Sequence, residues 1–393
     1  MNFWLKYNTK YQFKRLFWTL FLSHFLFNMS LTLYFLYPLF IEDLGGTKVQ
    51  IGFIMGIALG AGVMIRTLIG SFLDRHGRKI WFIIGGVICS ISSLLYLFIT
   101  HIGILIYVIR ILHGIGTGIL FTAYFTTIAD LYPSQRQVEI MALFGISGLV
   151  PMALGPLCGE LILGWSKFST LFVTAGILSF SAFFLTLYFP ETAPNETASD
   201  QSGPELAGLR PFLTVWIGSF LFGAAVHACF NFLAPFARSQ GLAGMSPFFF
   251  TYVITSSALR LLYGDIPEKY GILRTYYVAS VALFLGLAFT GFATTVFRLM
   301  IGGVFVGLGH AFIFPILISL SAQRSTVKSR GRAIAHMTAV LDFGGMACAP
   351  LLGYIGDIFG YRVLFSIASI FAIMPLLVFY IFDQDQKPRQ IQT

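Results

Sequence analysis

The stretch Gly70-Ser71-Phe72-Leu73-Asp74-Arg75-His76-Gly77-Arg78-Lys79 crowds four fixed charges and two glycines into ten residues. On either side lie apolar runs, near 49–73 and 80–100, interrupted by a single charge, Arg66. A helix needs about 20 apolar residues to cross the ~30 Å hydrocarbon core of a bilayer. Both runs are therefore of spanning length, and the charged stretch is the loop that joins them at one membrane face. Glycines at positions 70 and 77 suit a tight turn, because glycine allows close backbone approach and positive φ.

The same ruler carried along the chain finds twelve spanning segments, from about Leu16 to Phe382. The eighth, near 246–263, is the least apolar, because Arg260 and Asp265 shorten it. Of the 393 residues 57% are hydrophobic and 10% charged, against roughly 25% charged in a soluble domain. A water-soluble fold is excluded, and the expected class is an all-α membrane protein of twelve helices. The net charge of +9 does not read as a nucleic-acid surface, because the Lys and Arg sit between the apolar segments. With both termini placed in the cytoplasm, 17 of the 25 basic residues fall in inner regions and five in outer ones, the asymmetry of the positive-inside rule. The expected location is the cell membrane, inner or plasma, with many passes. The N-terminal apolar run exceeds a signal-peptide core and reads as an uncleaved first span.

Residues 190–211 are polar and lack an apolar stripe, so they read as a cytoplasmic linker between bundles at 1–189 and 212–393, six helices in each. A repeat supports the division. Arg66, Gly70, Asp74, Arg75 and Gly77, displaced by 194, reach Arg260, Gly264, Glu268, Lys269 and Gly271. The same offset takes Arg136 to Arg330, Pro156 to Pro350 and Gly159 to Gly353. Parallel repeats of this kind are how some transporters build a site between two halves.

The loop matches Gly-x-x-x-Asp-Arg-x-Gly-Arg-Lys at every defined position and resembles the signature loop of the major facilitator superfamily. Gly264-Asp-Ile-Pro-Glu268-Lys269-Tyr-Gly271 is its degenerate second copy. Arg110-Ile-Leu-His113-Gly114 resembles the family's Arg-x-x-x-Gly pattern on its fourth helix. Gly155-Pro156-Leu-Cys-Gly159 is similar to the Gly-Pro-x-x-Gly core of drug and metabolite:proton antiporters. Pro151 and Glu160 depart from that pattern, standing where it has glycines. The resemblance implies two pseudo-symmetric bundles, alternating access, and a gating role in which Asp74 pairs across the halves and stabilises the outward-facing state. Gly264 and Gly271 are expected to tolerate substitution better than Gly70 and Gly77.

Among intramembrane residues Asp342 is the most informative acid, some 13 Å into its helix from Ala333. Ionisable groups at such depth usually face a cavity, which suits a proton carrier. Its bland alternative is a structural partner of a neighbouring helix. Glu160 falls near the outer face and Arg110 about a third of the way in. Arg110 either holds a substrate anion or pairs with another helix; Arg66 and Arg260 snorkel or pair locally. His24, His113, His227 and His310 lie one each on segments one, four, seven and ten, which line the cavity in the family resembled. A metal is not favoured, because no pair has ligand spacing, and no cofactor is called for. Asn28 and Asn231 are the candidates for uncharged hydrogen bonds to substrate. Cys89, Cys158, Cys229 and Cys348 are scattered through apolar segments and read as packing residues.

The expected function is export of a small organic solute coupled to protons, by a monomer in the lipid bilayer with no nucleic-acid partner. An uptake symporter is the alternative within the fold. An embedded enzyme is disfavoured because His-Glu-x-x-His and Gly-x-Ser-x-Gly are absent, and a channel because no filter sequence appears.

Overall fold

A computed structural model describes residues 10–131, 137–189, 212–326 and 329–382. The linker expected at 190–211 lies outside them. With no water in hydrocarbon, a spanning segment must satisfy its backbone internally, and helices account for all regular structure among the described residues. Lys10–Leu33 and Tyr37–Asp43, joined by a 3-10 turn at Tyr34–Leu36, form α1. Then follow α2 (Lys48–His76), α3 (Lys79–Leu95), α4 (Ile104–Leu131), α5 (Gln137–Trp165) and α6 (Phe168–Thr186). The second series is α7 (Leu213–Ser239), α8 (Ser246–Tyr263), α9 (Ile272–Gly291), α10 (Val296–Gln323) and the 53-residue run Arg330–Phe382. That run is broken at Gly360, where φ is 82°, so it comprises α11 (330–359) and α12 (361–382). At ~1.5 Å per residue it is long enough for two crossings.

Ten of the helices among the described residues are long and apolar enough to cross a membrane, with Arg330–Phe382 taken as one. The weakest segment anticipated from sequence, α8, is not among them. Large apolar side chains such as Ile104, Leu261 and Leu377 are exposed, which lipid accommodates and water would not.

The chain divides into two compact units, Met1–Gln201 and Ser202–Thr393. In the first, α1 packs on α5 and α6, α2 on α4, and α3 on α4 and α6. The second repeats the pattern: α7 packs on α11, α8 on α10, and α9 on α10 and α12. Small residues make these approaches possible. A Cβ at Gly114 or Gly118 would overlap the backbone of Ala58 or Gly62, and one at Gly303 or Gly307 that of Phe248 or Tyr252. Helix starts are fixed locally. Thr47 and Gln50 form a capping box at α2, and the Thr295 hydroxyl accepts from the Arg298 N–H at α10.

Candidate functional site

The turn between α2 and α3 is set by one glycine rather than two. The α2 backbone stays helical through Gly70, Asp74 and Arg75 to His76, and Gly77, with φ 80°, makes the turn into α3. The side chains of 70–76 lie outside the described residues. Just past the turn, buried Arg78 donates through Nε to a carboxylate oxygen of Asp130 at 3.0 Å, joining the loop to the last turn of α4. Lys79 begins α3. Sequence reading missed Asp130, which sits 52 residues away on another helix and carries no local mark.

In the second copy Gly264 sits in the turn that follows α8, but with an ordinary helical φ of −61°, which does not require a glycine. Glu268 and Lys269 lie on a one-turn helix, Ile266–Tyr270, closed by Gly271 at φ 97°. Lys269 Nζ lies 2.6 Å from Asp265, and the ammonium holds that carboxyl below its usual range. Positive φ at Gly77 and at Gly271 makes these two positions alike in backbone strain, since any side chain is strained at both.

Arg110 does pair with another helix. Its Nε donates to the Ile54 carbonyl of α2 at 3.2 Å, Nη2 approaches the Met55 sulfur at 3.4 Å, and the guanidinium lies 5.0 Å from the centre of the Tyr37 ring. One turn on, His113 Nδ1 meets the Tyr96 hydroxyl at 3.2 Å, and its ring packs edge-on to Tyr34. Arg110, His113, Tyr34, Tyr37 and Tyr96 are all buried, so α1, α2, α4 and the 3-10 turn Tyr96–Phe98 after α3 converge on one cation with aromatic and hydroxyl neighbours. The three tyrosines were not singled out from sequence, where they read as ordinary membrane aromatics.

His24-Phe-Leu-Phe-Asn28 on α1 and His227-Ala-Cys-Phe-Asn231 on α7 repeat the pattern His-x-x-Phe-Asn, a signal the 194-residue offset hides. Each histidine faces a glycine, Gly148 of α5 or Gly345 of α11. His24 is fixed: Nδ1 bonds the Ser147 hydroxyl at 2.7 Å and the ring stacks on Phe144. Asn28 donates to the His24 carbonyl at 2.8 Å. His227 Nδ1 lies 2.9 Å from the Gly223 carbonyl of its own helix, and Asn231 is buried one turn before Pro235.

His310 of α10 bonds the Tyr252 hydroxyl through Nδ1 and stacks on that ring. Arg260 donates to the carbonyls of His310 and Ala311 at 3.1 and 3.4 Å. Arg66 donates to Gly62 in its own helix and lies over the Phe121 ring. Asp342 is half-buried on α11, between Leu341 and Gly344, whose backbones press on α7 at Gly223 and Phe220. Glu160 is half-buried on α5, next to Gly159. In the Gly155-Pro156-x-x-Gly159 core, a Cβ at Gly155 would overlap the Thr32 hydroxyl, and one at Gly159 would lie 2.5 Å from Leu36, so the core seats α5 against α1. Among the described residues no three His, Cys, Asp or Glu side chains group as metal ligands.

Comparison with known proteins agrees with this architecture. A family model described as Major Facilitator Superfamily matches residues 16–288 and 239–392. The staphylopine export protein of Staphylococcus aureus is 22% identical over 89% of this chain and 91% of its own. The multi-drug resistance efflux pump PmrA of Streptococcus pneumoniae is 23% identical over 85% and 87%. Among solved structures, the nucleoside transporter NupG superposes with a TM-score of 0.75 at 16% identity, over 94% of this chain and 100% of that one.

Proposed function

This chain belongs to the Major Facilitator Superfamily, whose members are transporters and not enzymes, and from that premise we propose that it exports a small organic solute by proton-coupled alternating access. The observation that carries the direction is the pair of relatives named for export and efflux, each aligned with at least 85% of the chain. Bundles at 1–189 and 212–393 joined by a linker at 190–211, with both termini in the cytoplasm of a cell-membrane monomer, complete the reading.

Roles follow from chemistry. Asp342 carries the proton, being a carboxyl on the helix that packs tightly on α7; Glu160 is the second acid. Arg110 takes an anionic part of the solute, because a guanidinium flanked by aromatic rings and hydroxyls suits a carboxylate. Asn28, Asn231, His113, His227 and His310 offer neutral hydrogen bonds, and Asp74 with Arg75, Arg78 and Lys79 gates the cycle.

The test is flux in proteoliposomes under an imposed pH gradient, after a screen of small organic compounds for thermal stabilisation of the purified protein. Saturable solute movement opposite to the proton supports export. Movement of both in one direction makes the protein an uptake symporter, and non-saturable flux makes it a pore.

A further inference from the structure

Pro315 opens a gap in the hydrogen bonding of α10. Proline has no N–H, so the Ala311 carbonyl four residues earlier receives no intrahelical donor, and the ring presses on that same carbonyl. In hydrocarbon such a group must be answered by the protein itself. Arg260 of α8 answers it, Nε donating to Ala311 at 3.4 Å and Nη2 to the neighbouring His310 carbonyl at 3.1 Å. The geometry is set by two parallel helices. Gly303 lies on Phe248 and Gly307 on Tyr252, a register that brings Arg260 level with Pro315. Helical side chains lean towards the N-terminus, which carries the guanidinium back to 311. Tyr252 holds the His310 ring on the same face.

The first unit supplies an internal control. Gly114 lies on Ala58 and Gly118 on Gly62, so α2 and α4 pack in the same parallel fashion. Arg66 corresponds to Arg260, but the residue level with it on the partner helix is Thr122 rather than a proline. Thr122 keeps its N–H, and its hydroxyl also donates to the Gly118 carbonyl at 2.9 Å. Arg66 Nε donates within its own helix, to Gly62 at 3.2 Å. Both units carry the arginine, and it bonds the opened carbonyl in the unit that has the proline.

We propose that Arg260 is a positioning residue that latches α10 at Pro315 by supplying the hydrogen bond proline withholds. The inference goes beyond the reading above and does not depend on the solute, its direction or its coupling ion. Latched, the Pro315 turn has one fixed shape; released, the same turn is a hinge in a helix that carries His310.

The test is hydrogen–deuterium exchange of the full-length protein in nanodiscs, read over peptides covering 308–319. Arg260→Gln raises exchange there by about tenfold, the equilibrium weight of one hydrogen bond from a charged donor. Pro315→Ala restores the missing N–H, and in that background Arg260→Gln changes exchange by less than about twofold. Arg260→Lys, which keeps the charge without the planar fork, recovers only part of the protection. Wild-type exchange in Arg260→Gln overturns the proposal, as does an equal rise with and without Pro315. If Arg260→Gln fails to accumulate, accumulation of the double variant at the Pro315→Ala level supports the latch, and failure of the double variant refutes it.

Discussion

Arg78 Nε lies 3.0 Å from a carboxylate oxygen of Asp130, with side chains 6% and 27% exposed. The bond ties the residue after Gly77 to the end of α4, and a hydrogen bond between charged groups contributes about 1.5–3 kcal/mol, towards the lower figure here because water reaches Asp130. Asp130→Asn should therefore lower the melting temperature measured by size exclusion of heated samples. Arg78→Lys should do so as well, because an ammonium cannot reproduce the Nε geometry. Wild-type melting of both variants would reduce the pair to a surface contact.

Gly77 and Gly271 close their turns at φ 80° and 97°. Alanine at either position should cost about 1 kcal/mol or more in backbone strain, with similar losses of folded protein at equal expression. Gly70→Ala, in a helical backbone, should carry no such strain. A Gly271→Ala variant as stable as wild type alongside a damaged Gly77→Ala would restore the asymmetry expected from sequence.

Asp342→Asn should separate two activities. The amide mimics a protonated carboxyl, so solute exchange without a pH gradient survives while uphill, gradient-driven transport is lost. Uphill transport with an unchanged pH dependence would place the proton elsewhere, with Glu160 next in line. Loss of both activities together with expression would make the residue structural.

Asp74→Asn should abolish or strongly slow cycling while leaving insertion and folding intact, because the gating assigned to the loop needs a charge there. The check is transport rate per inserted molecule, and a wild-type rate would leave the loop a purely topological role.

Lys269 holds the Asp265 carboxyl below its usual range. A carboxyl depressed in the folded state stabilises above its unfolded pKa, about 4, and that contribution is lost as pH falls through the lower folded value. Melting temperature against pH should therefore differ between wild type and Asp265→Asn at neutral pH and converge in acid. The difference should shrink with added salt, because the pair is exposed. Parallel curves across the whole range would show the pair to be silent.

Much of the fold was legible because a bilayer imposes one length on every span, and apolar runs of that length are visible in Phe- and Leu-rich sequence. The least apolar run, α8, is also not apolar enough to count by composition among the membrane-crossing helices of the described residues. The turn at Gly77 was legible, but Gly70, also expected in the turn, lies in helical backbone, since a glycine in a string does not reveal whether its φ is positive. The site was half legible. Arg110, Arg260 and the histidines stood out as polar groups among apolar ones, but their partners did not. Arg110 and Arg260 bond main-chain carbonyls of other helices, and a carbonyl belongs to every residue, so no pattern of side chains marks it. The Pro315 defect is written in the sequence as a proline, but its place level with a duplicated arginine depends on how α8 and α10 pack.

Arg110 and Arg260 are held by main-chain carbonyls, and neither pairs with a carboxylate among the described residues, so the fixed charge of an arginine stands without a counter-charge inside a helix of the membrane domain. A charge there feels the transmembrane voltage, which does about 2.3 kcal/mol of work on one elementary charge per 100 mV when the whole field is crossed. Any step that carries α4 or α8 along the membrane normal by even a fraction of its thickness moves current. A voltage across the membrane that holds the protein then acts on any such step directly, as a force separate from the gradient of the solute.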